Sequence, residues 1–258
     1  MIQAQTGIEL WLVDLARCGG VLDELEREMP RLADDERTRA EAFRDPVVRR
    51  ERMTAHTALR ILIERAIGPG ARRRPYVRGA GGAPRLVDGG VSFSLSHTEG
   101  FALVGLAAAS PIGVDLERAR PVEIPQRRRE ELCAAAVGIG GAPLPYGEED
   151  RATVQAWVRL EAFTKARGRA LLGTLTDLGL RGTRLPPPPP ACVEAAARAL
   201  AGRTGLTVSD LPLPAGLQGA AAVGLGAYLP AARALPADRA GLDELLGRPW
   251  PHPGRGSG

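Results

Sequence analysis

The segment Ile112-Gly-Val-Asp-Leu-Glu117 limits what this chain can fold into more than any other. Its alternation reads as a β-strand with Val114 and Leu116 on one face and Asp115 and Glu117 together on the other. Two carboxylates side by side repel each other unless a cation lies between them. Any fold that buries this strand must therefore bring positive charge to its acidic face. Taken alone, the Asp-x-Glu pair also fits two solvent-facing carboxylates.

A second segment offers that charge. Trp157, Glu161 and Lys165 recur at i, i+4 and i+8, which places them on one face of a helix. Of the 34 basic side chains in the chain, Lys165 alone is a lysine. The substitution of ammonium for guanidinium matters chemically, because guanidinium stays protonated above pH ~12 whereas a desolvated ammonium can pass on a proton. By itself the pair reads as an exposed helical ion pair, which contributes only about 0.3–0.5 kcal/mol.

The chain has 258 residues, 44% of them hydrophobic and 25% charged, enough for one large domain or two small ones. No run of about 18 uncharged apolar residues occurs, and the start Met1-Ile-Gln-Ala-Gln lacks a basic, apolar leader; a cytoplasmic protein with no membrane partner is expected. Cys18, Cys133 and Cys192 are far apart, with no Cys-x-x-Cys, so neither a disulfide framework nor a zinc site is expected. The net charge of +4 is unevenly spread: Arg37, Arg39, Arg44, Arg49, Arg50, Arg52 and Arg60 precede a cluster from Arg72 to Arg74. That half is suited to anions. Nucleic acid is not the expected partner, because aromatic residues make up 4% of the chain and none interleave with these arginines to stack bases. A small polyphosphate or an acidic protein fits better.

Along the chain, Ile8–Leu15 reads as a strand, and Val21–Arg44 as helical segments broken by Pro30. After an interruption at Pro46, Val48–Ile67 is a helix ending at Gly68-Pro69-Gly70. Gly79 to Pro84 reads as a glycine-rich loop, and Val91–Leu95 as a strand delivering Ser96 and His97 at its end. Phe101–Ala107 is another strand. Helices follow over Arg127–Val137 and Glu148–Arg167, then strand-like pieces at Leu178–Leu180 and Ala220–Leu229. Pro186 to Pro190 is an extended proline run, and everything from Pro230 reads as a poorly packed tail. Each half runs helix, helix, then short strands, compatible with two similar subdomains facing each other across a ligand cleft.

Asp115, Glu117 and Glu161 are hard oxygen ligands with no His or Cys near them in sequence, a set that suits Mg2+ completed by substrate phosphates. His97 alone also reads as a structural histidine. Together, Phe93-Ser-Leu-Ser-His97-Thr, Gly113-Val-Asp115-Leu-Glu117 and Trp157-Val-Arg-Leu-Glu161-Ala-Phe-Thr-Lys165-Ala-Arg-Gly168 resemble, in order and spacing, the three motifs of the 4'-phosphopantetheinyl transferases of the large surfactin-synthetase-activator type. The resemblance covers roughly Leu32 to Leu180.

The resemblance implies an α/β (α+β) fold of two similar subdomains related by a pseudo-twofold axis, over residues 1–108 and 109–229, with 230–258 as the tail. It implies a monomer that uses Mg2+ and moves phosphopantetheine from coenzyme A to a serine of an apo acyl or peptidyl carrier protein, releasing 3',5'-ADP. Asp115, Glu117 and Glu161 would be the metal ligands. Arg39, Arg50, Ser96, His97 and Lys165 would contact coenzyme A, with Glu161 and Lys165 catalytic. Glu161 would deprotonate the serine and Lys165 would serve the departing nucleotide. The chain departs from the family pattern at Leu160 and Ala83, where lysines are usual, and at Ala170, where a glycine is usual. Arg159 or Arg85 could replace the lost charge. A coenzyme A or carrier-protein-binding paralogue without turnover is the alternative these departures motivate.

Overall fold

The computed structural model describes residues 7–79, 83–87, 89–181, 188–248 and 250. The chain divides into two compact units, one formed by Met1–Val77, Pro84–Ala109 and Ala232–Gly258, the other by Arg78–Ala83 and Ser110–Ala231.

In the first unit, β1 (Ile8–Asp14) leads directly into α1 (Leu15–Glu28), whose N-terminus is capped by the Asp14 carboxylate accepting from Arg17 N at 3.0 Å. After α2 (Asp34–Glu41), helix α3 (Pro46–Ile67) starts one residue beyond Asp45, whose side chain accepts from Val47 N at 2.8 Å. Pro46 therefore opens this helix two residues before the expected start at Val48, in the first-turn position where its missing N–H costs nothing. Short strands β2 (Tyr76–Arg78) and β3 (Pro84–Leu86) precede the hairpin of β4 (Ser92–Thr98) and β5 (Phe101–Ala107). Gly100 turns that hairpin at φ 75°, and its N–H donates to Glu51 Oε1 at 3.0 Å. Ser96 and His97 thus lie within β4, paired with Leu103 and Ala102, and not beyond its end.

The second unit opens with β6 (Ile112–Arg118), followed by α4 (Gln126–Ile139), α5 (Glu149–Ala166), α6 (Leu171–Asp177) and α7 (Pro190–Thr204). Strands β7 (Leu206–Asp210) and β8 (Leu217–Gly224) complete an antiparallel sheet in the order β6-β8-β7. The expected strand at Leu178–Leu180 is instead the exit from α6, with Leu178 as its C-cap. Leu132, Leu160, Phe163, Val208 and Ala220 belong to one buried core that joins α4, α5 and the sheet. Of the proline run, Pro186 and Pro187 lie outside the described residues; Pro189 and Pro190 start α7.

The chain then returns to the first unit, which corrects the expectation of a loose tail. Strand β9 (Arg233–Ala234) pairs in parallel with β1, giving a sheet in the order β4-β5-β1-β9. Helix α8 (Arg239–Gly247) follows, and Leu235, Leu242, Leu245 and Trp250 enter the core formed by Trp11, Leu22, Leu59 and Leu62. Apolar burial outweighs the Pro- and Ala-rich composition there. Cys18 is buried and Cys192 exposed, and all three cysteines are free. Among the described residues no helix is long and apolar enough to cross a membrane.

Candidate active site

The second unit brings Asp115, Glu117, Glu161 and Lys165 together, and Gly113 is the reason they meet. A Cβ at Gly113 would stand 2.0 Å from Ala162 O and 2.4 Å from Ala166 N, so only glycine lets α5 lie this close to β6. Strand alternation then turns Asp115 and Glu117 toward the same helix face. Lys165 Nζ donates to Asp115 Oδ1 at 2.7 Å and to Val114 O at 3.2 Å. The Asp115 side chain is 7% exposed and that of Lys165 31%, so the ammonium is reachable while its partner is not.

Burial pushes the Glu161 carboxyl above its ordinary range, the charges of Asp115 and Glu117 add to the push, and Lys165 opposes it. Glu117 is raised in the same way, by burial first and Asp115 second, against Arg120 and Lys165. Two glutamates, each pushed up by the neighbouring Asp115 charge, mark a deficit of positive charge here. The donor set, all oxygen and without sulfur or nitrogen, fits a hard divalent cation such as Mg2+. Among the described residues no three His, Cys, Asp or Glu side chains close around a metal-sized position as they stand.

One helical turn before Glu161, Trp157 enters the wall of a cavity of about 490 Å3. Leu172, Leu175, Leu180 and Ile124 make that wall apolar, and Arg120, whose charge acts on Glu117, stands among the lining residues. The size and lining are those of a small-ligand site.

The residues flanking the motif glutamate have structural duties. Leu160 is wholly buried in the core of this unit. Arg159, offered by the sequence as replacement charge, is also wholly buried: it grips Asp210 through Nε at 2.7 Å and Nη2 at 2.5 Å, and donates to Ala142 O at 2.6 Å. It ties α5 to β7 and is not available to a ligand.

In the first unit, Ser96 is buried within β4 and His97 is half-buried. His97 Nε2 lies 3.4 Å from Arg52 Nη1, and Arg52 also stacks on the Phe43 ring at 4.8 Å. Burial and the nearby charge of Arg39 hold the Arg52 guanidinium below its ordinary range. Arg39, Arg52 and His97 therefore form one electropositive cluster, with Arg39 also bonded to Asp35. Arg50, the expected phosphate contact, is exposed and lies 3.2 Å from Asp23 on α1. Arg52 was visible in sequence only as one of many arginines; its partner lies in a distant strand.

No protein-family model matches the chain. It is 27% identical over 150 residues to a protein of Synechocystis sp. whose name gives 4'-phosphopantetheinyl transferase as a provisional assignment, covering 57% of this chain and 61% of that protein. It is 27% identical over 167 residues to the 4'-phosphopantetheinyl transferase HetI of Nostoc sp., covering 62% of this chain and 68% of HetI. The chain thus spans about three fifths to two thirds of the length of these relatives. The chain is thus similar to proteins that carry the name 4'-phosphopantetheinyl transferase, and its mixed helix and strand content is consistent with the fold of that superfamily.

Proposed function

We propose that this protein transfers the 4'-phosphopantetheine group of coenzyme A to the serine of an apo acyl or peptidyl carrier protein. The observation that carries the reading is the seating of Glu161 and Lys165 against Asp115 across Gly113. Asp115, Glu117 and Glu161 would hold Mg2+, which supplies charge neutralisation to the diphosphate when bound. Glu161, on the helix face it shares with Lys165, would take the proton of the serine hydroxyl. The serine oxygen forms a bond to the β-phosphorus as the bond from that phosphorus to the 3',5'-ADP oxygen breaks. Lys165 offsets the charge that develops on the leaving oxygen, in the manner of phosphoryl-transfer sites generally.

The apolar cavity beside Trp157 suits the pantetheine arm, whose amides and methyl groups carry no charge. Within the first unit, Arg39, Arg52 and His97 form a cluster suited to phosphate groups. Incubation with apo carrier protein, coenzyme A and Mg2+ is expected to give a carrier heavier by one phosphopantetheine, with 3',5'-ADP released. Calorimetric binding of coenzyme A without mass change across several carriers would overturn the transferase reading in favour of a binding paralogue.

A further inference from the structure

Strand β8 carries Gln218, Ala220, Ala222 and Gly224 on one face, and only the first is polar. That face meets α5, because Ala220 and Ala222 share the buried core with Leu160, Ala162 and Phe163. Gln218 is 6% exposed, and neither its amide nitrogen nor its amide oxygen finds a hydrogen-bond partner among the described residues. A primary amide buried with both ends unpaired costs stability that an alanine or a methionine would not.

Its register says what the amide is near. Gln218 lies directly opposite Glu117 in the antiparallel ladder, as Ala220 lies opposite Asp115. Directly opposed side chains stand with Cβ atoms about 4.5–5.5 Å apart on the same face, within reach of two such long residues. The small Ala220 and Ala222 leave the amide as the one polar group that β8 offers to this acidic face. An amide can donate to a carboxylate through nitrogen and accept from a cation-bound water through oxygen, pairing both orphaned atoms.

We propose that Gln218 is a positioning residue of the acidic site, orienting the Glu117 carboxylate toward a divalent cation and becoming hydrogen-bonded itself when the site is loaded. The inference rests on the reading of Asp115, Glu117 and Glu161 as metal ligands. It assigns to β8 a part in a site otherwise built from β6 and α5. The unpaired amide is then a functional feature rather than a packing fault.

The test uses the full chain, with Mn2+ as the probe. Gln218→Met keeps length and removes hydrogen bonding; Gln218→Ala copies the neighbouring positions of the strand and carries the test should methionine fail to fold. Mn2+ affinity is read by electron paramagnetic resonance with and without coenzyme A, and Tm by calorimetry without metal. The variants are expected to melt at or above the wild-type temperature without metal and yet to bind Mn2+ about 10- to 100-fold more weakly, the effect usual for partners that orient a ligand. Wild-type Mn2+ affinity in a folded variant would overturn the role of Gln218 and leave the metal reading standing. A wild-type protein that binds no Mn2+ under either condition would overturn both.

Discussion

Three buried glutamates of the first unit and the acidic group around Asp115 in the second are treated in opposite ways, although the second unit also clasps its buried Glu131 with Arg127 and Arg128. In the first, Glu9 is clasped by Arg65 at 2.6 Å and Arg233 at 2.7 Å, Glu36 by Arg60 at 2.5 Å with His56 at 3.1 Å, and Glu64 by Arg31 at 2.6 Å together with Arg72. Burial alone would raise all three carboxyls, but hydrogen bonds and charge from these cations hold each below its ordinary value. In the second, Glu117 and Glu161 are raised, and the ammonium of Lys165 bonds to Asp115. Arginine is abundant in both units, so supply does not explain the difference. Where charge is neutralised within the protein it fastens helices to one another; where it is left in deficit it marks a place for something from outside.

The sharpest way to break that contrast is to remove one carboxylate from each unit. Glu161→Gln keeps the size and hydrogen-bonding reach of the side chain but removes the base and a metal charge. Transfer to an apo carrier should fall by about a thousandfold or more, equivalent to about 4 kcal/mol in the barrier, with a Tm at or above that of the wild type. A Tm collapse in this variant would place Glu161 with the structural carboxylates.

Glu36→Gln should do the reverse. It leaves Arg60, 1% exposed, buried without its counter-charge. A loss of about 3 kcal/mol in denaturant unfolding is expected. Per folded molecule, transfer activity should change little.

Lys165→Arg is a finer probe, since it preserves the charge opposite Asp115 and changes only geometry and proton donation. Turnover should drop about tenfold, or about 1.4 kcal/mol, with stability unchanged in calorimetry. An undiminished rate would show that any cation suffices at that position.

The smallest effect is in acid. Glu9, Glu36 and Glu64 have folded-state values below the ordinary 4.5, so their stabilisation is present above pH 4.5 and is lost as pH falls through those lower values. Glu117 and Glu161 have raised values, so their folded forms take up protons first and gain relative stability as pH falls from the raised values toward 4.5. Hydrogen exchange resolved by segment should therefore show α3 losing protection below about pH 4.5, while β6 and α5 are steady or better protected on the way down to it. A parallel loss in both units across the whole range would erase the distinction.

Much of the second unit could be read directly from the chain because its signals are local. The strand at Ile112 and the helix carrying Glu161 and Lys165 each announce themselves by periodicity. Leu178–Leu180 was misread because a short apolar run has no period of its own, and α7 was missed because its alanines give little contrast between faces. Strand β9 and α8 were illegible for another reason: what orders them is β1, more than two hundred residues away in sequence, together with the first unit's core. The same holds within the sites. The shared strand face of Asp115 and Glu117 and the shared helix face of Glu161 and Lys165 followed from periodicity, whereas Arg52 beside His97, the diversion of Arg50 to Asp23 and the burial of Arg159 depend on neighbours across space.

The lone ammonium has a practical consequence. Because Lys165 is the only lysine side chain in the chain and is partly exposed, an amine-selective acylating reagent addresses a single side-chain amine, with no mutagenesis and no competing lysine. Its labelling rate, followed by peptide mass, becomes a native footprint of the acidic cleft. Ligands that cover it should slow the tagging, and any that draw it away from Asp115 without covering it should quicken it.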